Sequence, residues 1–333
     1  MMPASREWHL ARRPHGWPVL DDFQLVEVDV AGPAQDELLV RNVAMSVDPY
    51  MRGRMSEGSS YAPPYELDAP MHGSAIGLVE ESRASEVKRG AFVRHRRGWR
   101  EWANVPVQEA EPVEPDADGV APSAYLGALG MPGMTAWVGL YDVAEIRPGE
   151  TIFISAAGGA VGSIAGQLAK LAGLRVVGSA GTEKKVQTLR DLGFDASFDY
   201  TAGDIAGRLR HAAPAGIDCY FDNVGGDQLA GALECMNPFG RIAACGMISA
   251  YNVSTPGPSN LSLIVSKKLT IRGFIVGDFV HREPIFRRYL TPLVRDGLIF
   301  APETRREGIE AAPEALLDIL RGGRHTGKMV IDL

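Results

Sequence analysis

The hydrophobic rhythm of the chain changes once, near Glu150, and that change divides it. Between residues 19 and 110 the apolar positions come in short runs of partial alternation, at 23–28, 37–43, 75–79 and 91–93. Glycine, proline or charge bounds these runs, which predicts the strands of a mostly β domain. Pro63-Pro64 and the stretch around Pro112, Pro115 and Asp118-Gly119 carry loop chemistry. Pro122 with Ser123 predicts a helix running to Leu129, broken by Pro132-Gly133.

From Glu150 on, continuous apolar runs at 151–154, 175–178, 196–199, 217–222, 241–246 and 269–276 read as buried strands. Segments of helical period separate most of them, at 162–171, 183–192, 204–211 and 228–236. Six such strands alternating with helices predict an α/β fold with a doubly wound parallel sheet. The C-terminal stretch 300–333 holds one more helical pattern, at 313–320, and a closing strand at 328–331.

A length of 333 residues is ordinary for two domains. Lys+Arg 34 against Asp+Glu 41 leaves a formal charge of −7, so a basic face for nucleic acid or an anionic membrane is not expected. The apolar runs near 151–165 and 261–276 stop well short of the roughly 18 residues that a membrane span requires. Residues 1–17 are polar, with Arg6, Arg12 and Arg13, and do not read as a signal peptide. Three cysteines, Cys219, Cys235 and Cys245, fit no disulfide framework, so the expected setting is cytoplasmic.

The strongest local chemistry follows the first strand of the sheet. A dinucleotide turn wants G-x-G-x-x-G there, because small residues let the backbone approach a pyrophosphate while the helix N-terminus supplies amides and dipole. The corresponding positions are Ala157, Gly159 and Gly162, with alanine in place of the first glycine. At the end of the second strand an NAD enzyme places an acid for the ribose hydroxyls. Here Gly178-Ser179-Ala180-Gly181 leads into Thr182-Glu183-Lys184-Lys185, a small uncharged pocket followed by lysines. That favours NADP. Glu183 is the counter-argument, and its plain reading is an exposed acid in a first helical turn; the lysines have a plain reading too, as solvated surface. No catalytic zinc is expected, since the β domain has no cysteine and His9, His15, His72 and His95 show no ligand spacing. Hydride delivery to a carbon activated by conjugation is then the natural reaction.

Five motifs carry a family resemblance. They are Ser46-Val47-Asp48-Pro49-Tyr50-Met51-Arg52-Gly53-Arg54-Met55, Leu129-Gly130-Met131-Pro132-Gly133-Met134-Thr135-Ala136, Ala156-Ala157-Gly158-Gly159-Ala160-Val161-Gly162, Tyr220-Phe221-Asp222-Asn223-Val224-Gly225-Gly226 and Cys245-Gly246-Met247-Ile248-Ser249-Ala250-Tyr251-Asn252. In order and spacing the chain resembles the zinc-free medium-chain reductases that include prostaglandin, alkenal double-bond and curcumin reductases.

The resemblance implies a GroES-like β domain, residues 1–123 and closed by 295–333, packed on a Rossmann domain at 124–294 with the active site in the cleft. It implies that Gly159, Ala160, Val161 and Gly162 meet the pyrophosphate, and that Lys185 holds the 2′-phosphate with Tyr200 beside it. Asn223 and the run Cys245, Gly246, Met247, Ile248, Ser249, Ala250 and Tyr251 would line the nicotinamide side, and Phe274, Ile275 and Val276 would cover the cleft. The family ends Gly-x-Asn-x-Gly-Lys, whereas this chain has Gly323-Arg324-His325-Thr326-Gly327-Lys328, which puts the cofactor contact of His325 in question. The implied reaction is hydride transfer from NADPH to the β-carbon of an unsaturated ketone or aldehyde. The developing enolate oxygen needs a donor, with Tyr251 the first candidate and Tyr50 the second. Arg52 and Arg54 are candidates for an acidic substrate tail or, more plainly, for ion pairs, and Met51, Met55, Met131, Met134 and Phe279 for an apolar pocket or the core. A homodimer through residues 269–276 is likewise implied. The alternatives are a quinone oxidoreductase and a catalytically silent NADPH-binding protein.

Overall fold

The computed structural model describes residues 3–58, 60–253 and 256–333, so Met1 and Met2, the opening of the polar N-terminal segment, lie outside the description. The chain forms two compact units, one built from the sequence up to Gly127 together with Glu303–Leu333, the other from Ala128–Pro302.

The first unit is β-rich. Strand β1 (Ala4–Leu10) pairs antiparallel with β2 (Phe23–Asp29). Strand β3 (Glu37–Val47) pairs antiparallel with β4 (Ala75–Ser82) and β6 (Trp102–Pro106), and β4 continues to β5 (Phe92–His95) and β7 (Glu111–Val113). Leu38, Val40, Val79, Val93, Ala103 and Val105 form one of its apolar cores. The alternation of β1 was hidden because two of its inward positions are Ser5 and Glu7, both buried.

The predicted helix at 122–129 is instead a short 3-10 turn, Pro122–Leu126. Pro132-Gly133 does not break a helix; it lies in the first turn of α1 (Met131–Val138). Proline is tolerated there because the missing N–H would have no intrahelical partner. Gly133 is there for contact: a Cβ at this position would fall 1.7 Å from the Ala128 carbonyl oxygen.

The second unit carries a six-stranded parallel sheet in the order β10-β9-β8-β11-β12-β13. Its strands are β8 (Thr151–Ile154), β9 (Arg175–Ala180), β10 (Ala196–Asp199), β11 (Ile217–Asp222), β12 (Met236–Ala244) and β13 (Thr270–Gly273). Helices α2 (Ala160–Leu171), α3 (Glu183–Asp191), α4 (Ile205–Ala212) and α5 (Gly226–Cys235) connect the first five. Every residue of β8 is buried, which is why it reads as an unbroken apolar run. Phe153 stacks between Phe198 and Tyr220, with ring centroids 5.9 and 4.9 Å away. Strand β13 is shorter than predicted and all four of its residues are exposed. Helix α6 (Ser262–Lys267) precedes β13, and Phe274 and then α7 (Glu283–Arg295) follow it. The pattern concealed α7 behind Pro284 and Pro292.

The chain then returns to the first unit. Strand β14 (Glu303–Glu307) pairs parallel with β15 (Lys328–Asp332), which pairs antiparallel with β3. Helix α8 (Ala312–Leu320) joins the two, with its apolar residues buried.

Candidate active site

The turn from β8 to α2 is built for close backbone approach. Ala156 takes a left-handed conformation, φ 48°, which brings the Gly159 N–H onto the Ala156 carbonyl at 3.0 Å. Gly159 is the N-cap of α2. A Cβ on Gly162 would lie 2.6 Å from the Ala156 oxygen and 2.7 Å from the Ala157 Cα, so only glycine lets the helix start this near the strand. Ala157, in place of the motif's first glycine, donates its N–H to the Ser179 carbonyl at 2.9 Å. Ala160 and Val161 open the helix half-buried.

At the end of β9, four positions come together. Thr182 caps α3, its hydroxyl accepting the Lys185 N–H. The Lys185 stem lies over the glycine turn, its Cβ 3.4 Å from where a Gly158 Cβ would sit. The Tyr200 hydroxyl is 3.1 Å from the corresponding point on Gly181. Burial lowers the Lys185 ammonium below its usual range; a phosphate dianion would offset that. Burial, with Asp199 adding to it, raises the Tyr200 phenol. Glu183 and Lys184 both point to solvent. Nothing in the corner demands a 2′-hydroxyl, and a cation, a phenol and two Cβ-free positions suit a 2′-phosphate.

The turns after β11 and β12 meet. The Cys245 and Gly246 N–H groups donate to the Asp222 carbonyl at 2.8 and 3.0 Å. The Ser249 hydroxyl donates to the Val224 carbonyl at 2.6 Å, and Gly225 and Gly226 both have positive φ. The Asn223 Nδ2 donates to the Ser155 carbonyl at 2.8 Å, tying this turn to the first. The Tyr251 hydroxyl lies 3.6 Å from where a Gly246 Cβ would be. Met247 is exposed, Ile248–Ala250 form a 3-10 turn, and burial pushes the Cys245 thiol up to about 12. Phe274 packs in the core, edge-on to Phe221 and Phe279, while Ile275 and Val276 are half-buried.

Tyr50, His325, Arg52, Arg54, Met51 and Met55 belong to the β-rich unit, whereas Met131 and Met134 lie in α1 of the other. Burial, reinforced by Asp48, raises the Tyr50 phenol well above its usual value. His325 is half-buried just before β15. Beside Tyr50 in sequence, the partners of the two arginines among the described residues are neutral groups rather than the ion pairs expected: Arg52 donates to the Gly16 carbonyl and the Ser56 hydroxyl, and Arg54 donates to the Pro63 carbonyl and stacks on Tyr65. Met51 and Met55 are fully buried core. Among the described residues no three His, Cys, Asp or Glu side chains come together as metal ligands. Nor is any helix long and apolar enough to cross a membrane.

Residues 6–113 match the family model described as an N-terminal domain of oxidoreductase, and residues 160–291 the one described as a zinc-binding dehydrogenase. Over 98% of this chain and 96% of the relative, the sequence is 40% identical to the NADPH-dependent curcumin reductase of Escherichia coli (strain K12). The chain belongs to the zinc-free medium-chain reductase family. Within that family it is 39% identical to the NADP(+)-dependent 2-alkenal reductase of Nicotiana tabacum, over 95% of this chain and 94% of the relative. The solved structure of CurA from Vibrio vulnificus in complex with NADPH superposes with a TM-score of 0.92 at 40% identity, covering 98% of each chain. Escherichia coli quinone oxidoreductase, at 23% identity and a TM-score of 0.80 over 99% of this chain and all of that one, shares the fold.

The sequence pattern missed Ala156, whose strained conformation has no residue signature, and the buried polar side chains beneath the two turns. Their signal was there: Ser155 and Asp222 are the polar residues that end two apolar strands.

Proposed function

We propose that this chain is an NADPH-dependent reductase of the C=C bond of α,β-unsaturated ketones and aldehydes. The observation that carries the reading is the corner of Gly158, Gly181, Lys185 and Tyr200 beside a cramped glycine turn, in a family with NADPH-dependent members. Bound NADPH would supply a hydride from nicotinamide C4 to the β-carbon of the substrate, and a proton from water or a tyrosine would then complete the α-carbon. The chain's own residues then divide the work. Gly159, Ala160, Val161 and Gly162 present the start of α2 to the pyrophosphate. Lys185 and Tyr200 hold the 2′-phosphate. Asn223, Cys245–Tyr251 and the backbone of 274–276 bound the nicotinamide half, and His325 stands where the family has its asparagine.

Tyr251 is the donor we assign to the developing enolate oxygen, since its hydroxyl lies beside Gly246 in this loop. Tyr50, whose proton is held tightly by burial, is the second candidate. Tyr251→Phe should lower turnover on an enone by roughly 10²- to 10³-fold while NADPH affinity stays within twofold; unchanged turnover removes Tyr251 from the chemistry. Turnover on an enone should exceed that on a quinone, and the reverse result favours a quinone oxidoreductase.

The finer assignments follow. Three free cysteines, two of them buried, support a cytoplasmic setting. The exposed edge strand β13, with Ile271 and with Val265 at 81% exposure nearby in sequence, supports a homodimer formed by edge pairing. Ile271→Lys should halve the sedimenting mass of such a dimer; a wild-type chain that sediments as a monomer contradicts it.

A further inference from the structure

Strands β9, β8 and β11 end in one polar row. Gly178 pairs with Ile154 and Ile154 with Phe221, so the next residues, Ser179, Ser155 and Asp222, stand side by side at the carboxyl edge of the sheet. All three are fully buried. Among the described residues Asp222 pairs with no cation. Instead one oxygen, Oδ1, takes the Tyr220 hydroxyl at 2.7 Å, the Gly225 N–H at 2.8 Å, the Val224 N–H at 2.9 Å and the Ser155 hydroxyl at 3.3 Å. The Tyr220 hydroxyl also lies 3.0 Å from Ser155 Oγ, which in turn accepts the Asn223 N–H at 2.9 Å. Oδ2 is buried and has no hydrogen-bond partner among the described residues.

This concentration is costly for a buried carboxylate, and burial raises the Asp222 pKa despite the four donors. A turn that needed only to reverse the chain would not require it. What the network does fix is Asn223. Its backbone N–H is on Ser155 Oγ, and its Nδ2 is on the Ser155 carbonyl at 2.8 Å. An amide turned the other way would set two oxygens against each other. That orientation leaves Oδ1 as the acceptor, beside the second Nδ2 hydrogen.

We propose that Asp222, with Tyr220 and Ser155, is the positioning group of the nicotinamide half of the cofactor site, holding Asn223 so that its carboxamide presents oxygen to a donor on that half of NADPH. The inference rests on the NADPH reading above. It separates the two ends of the cofactor: the 2′-phosphate corner is held by Lys185 and Tyr200, on other loops, and does not depend on Asp222.

The test is binding, by titration of the intact protein with NADPH and with adenosine 2′,5′-bisphosphate, which lacks the nicotinamide half. Tyr220→Phe, which removes one donor and keeps the ring, should weaken NADPH about tenfold and leave the bisphosphate within twofold. Asp222→Asn, which leaves a weaker, neutral acceptor for the same donors and replaces the unpartnered Oδ2 by a buried amide N–H₂, should do the same. Parallel weakening of both ligands would make the network merely structural and overturn the proposal, as would unchanged NADPH affinity in Tyr220→Phe, the variant that keeps the test decisive if Asp222→Asn does not fold. A wild-type chain that binds neither ligand would instead overturn the cofactor reading itself, and the inference with it.

Discussion

Asp48 and Asp222, two buried carboxylates at the carboxyl ends of strands, are stabilised by opposite means. In the β-rich unit Asp48, following β3, pairs with Lys328 at 3.0 Å, and both are almost inaccessible. The Lys328 ammonium also donates to the Val47 and Met329 carbonyls at 2.9 Å each, and the Ser46 hydroxyl donates to the second Asp48 oxygen. Charge is cancelled by charge, and each polar group has its partner. In the parallel-sheet unit the donors to Asp222 among the described residues are all neutral and all on one oxygen. The first arrangement joins residues 281 apart in sequence and closes a fold whose last strand must return to its third. The second joins residues close to Asn223 and aims a side chain. An ion pair suits closure, because its loss is intolerable from either side; a hydrogen-bond network suits aiming, because each donor fixes a direction.

Breaking the closure should give the largest effect. Lys328→Met strands a buried carboxylate and should cost about 3–5 kcal/mol of stability by urea denaturation, with Asp48→Asn/Lys328→Met recovering part of it. A single variant as stable as wild type would mean that the pair adds nothing to closure.

The cofactor corner should respond next, and in selectivity rather than stability. Lys185→Ala removes a charged hydrogen bond of roughly 1.5–3 kcal/mol, so kcat/KM with NADPH should fall about 10- to 150-fold while that with NADH stays level. Equal losses with both cofactors would take the 2′-phosphate away from Lys185.

Near neutral pH the smallest effect is a titration in the β-rich unit. Burial, with Arg100 and Arg97 adding to it, lowers the His95 pKa to about 3. Folded His95 is therefore neutral between pH 3 and its ordinary value near 6.5, where the unfolded chain binds the proton. Stability is present above that window and falls as the pH drops through it, by about 1.4 kcal/mol per unit. His95→Gln should flatten this slope in denaturation curves between pH 6.5 and 5; an unchanged slope would assign it to other groups.

Legibility in the sequence followed burial. The parallel sheet could be read because strands such as β8 are apolar on both faces. Strands β1 and β14 could not, since Ser5 and Glu7 take inward positions in one and the other is composed of Glu303, Thr304, Arg305, Arg306 and Glu307. Pro132 misled because proline interrupts a helix and also begins one. In the site, Lys185 and the glycines announce themselves by residue type and place. Ala156 does not, because its φ is imposed by the turn around it. Asp222 was visible only as a strand end, since the four donors that converge on it come from Tyr220, Ser155 and two backbone positions whose meeting is a tertiary fact.

The most direct test of the account is the fate of the transferred hydrogen. NADPH deuterated at the transferring position of nicotinamide C4 would be incubated with an aryl enone, and the product analysed by NMR. The account predicts deuterium at the β-carbon, a saturated C–C bond and an intact carbonyl. Deuterium on a carbinol carbon, with the double bond retained, would contradict it.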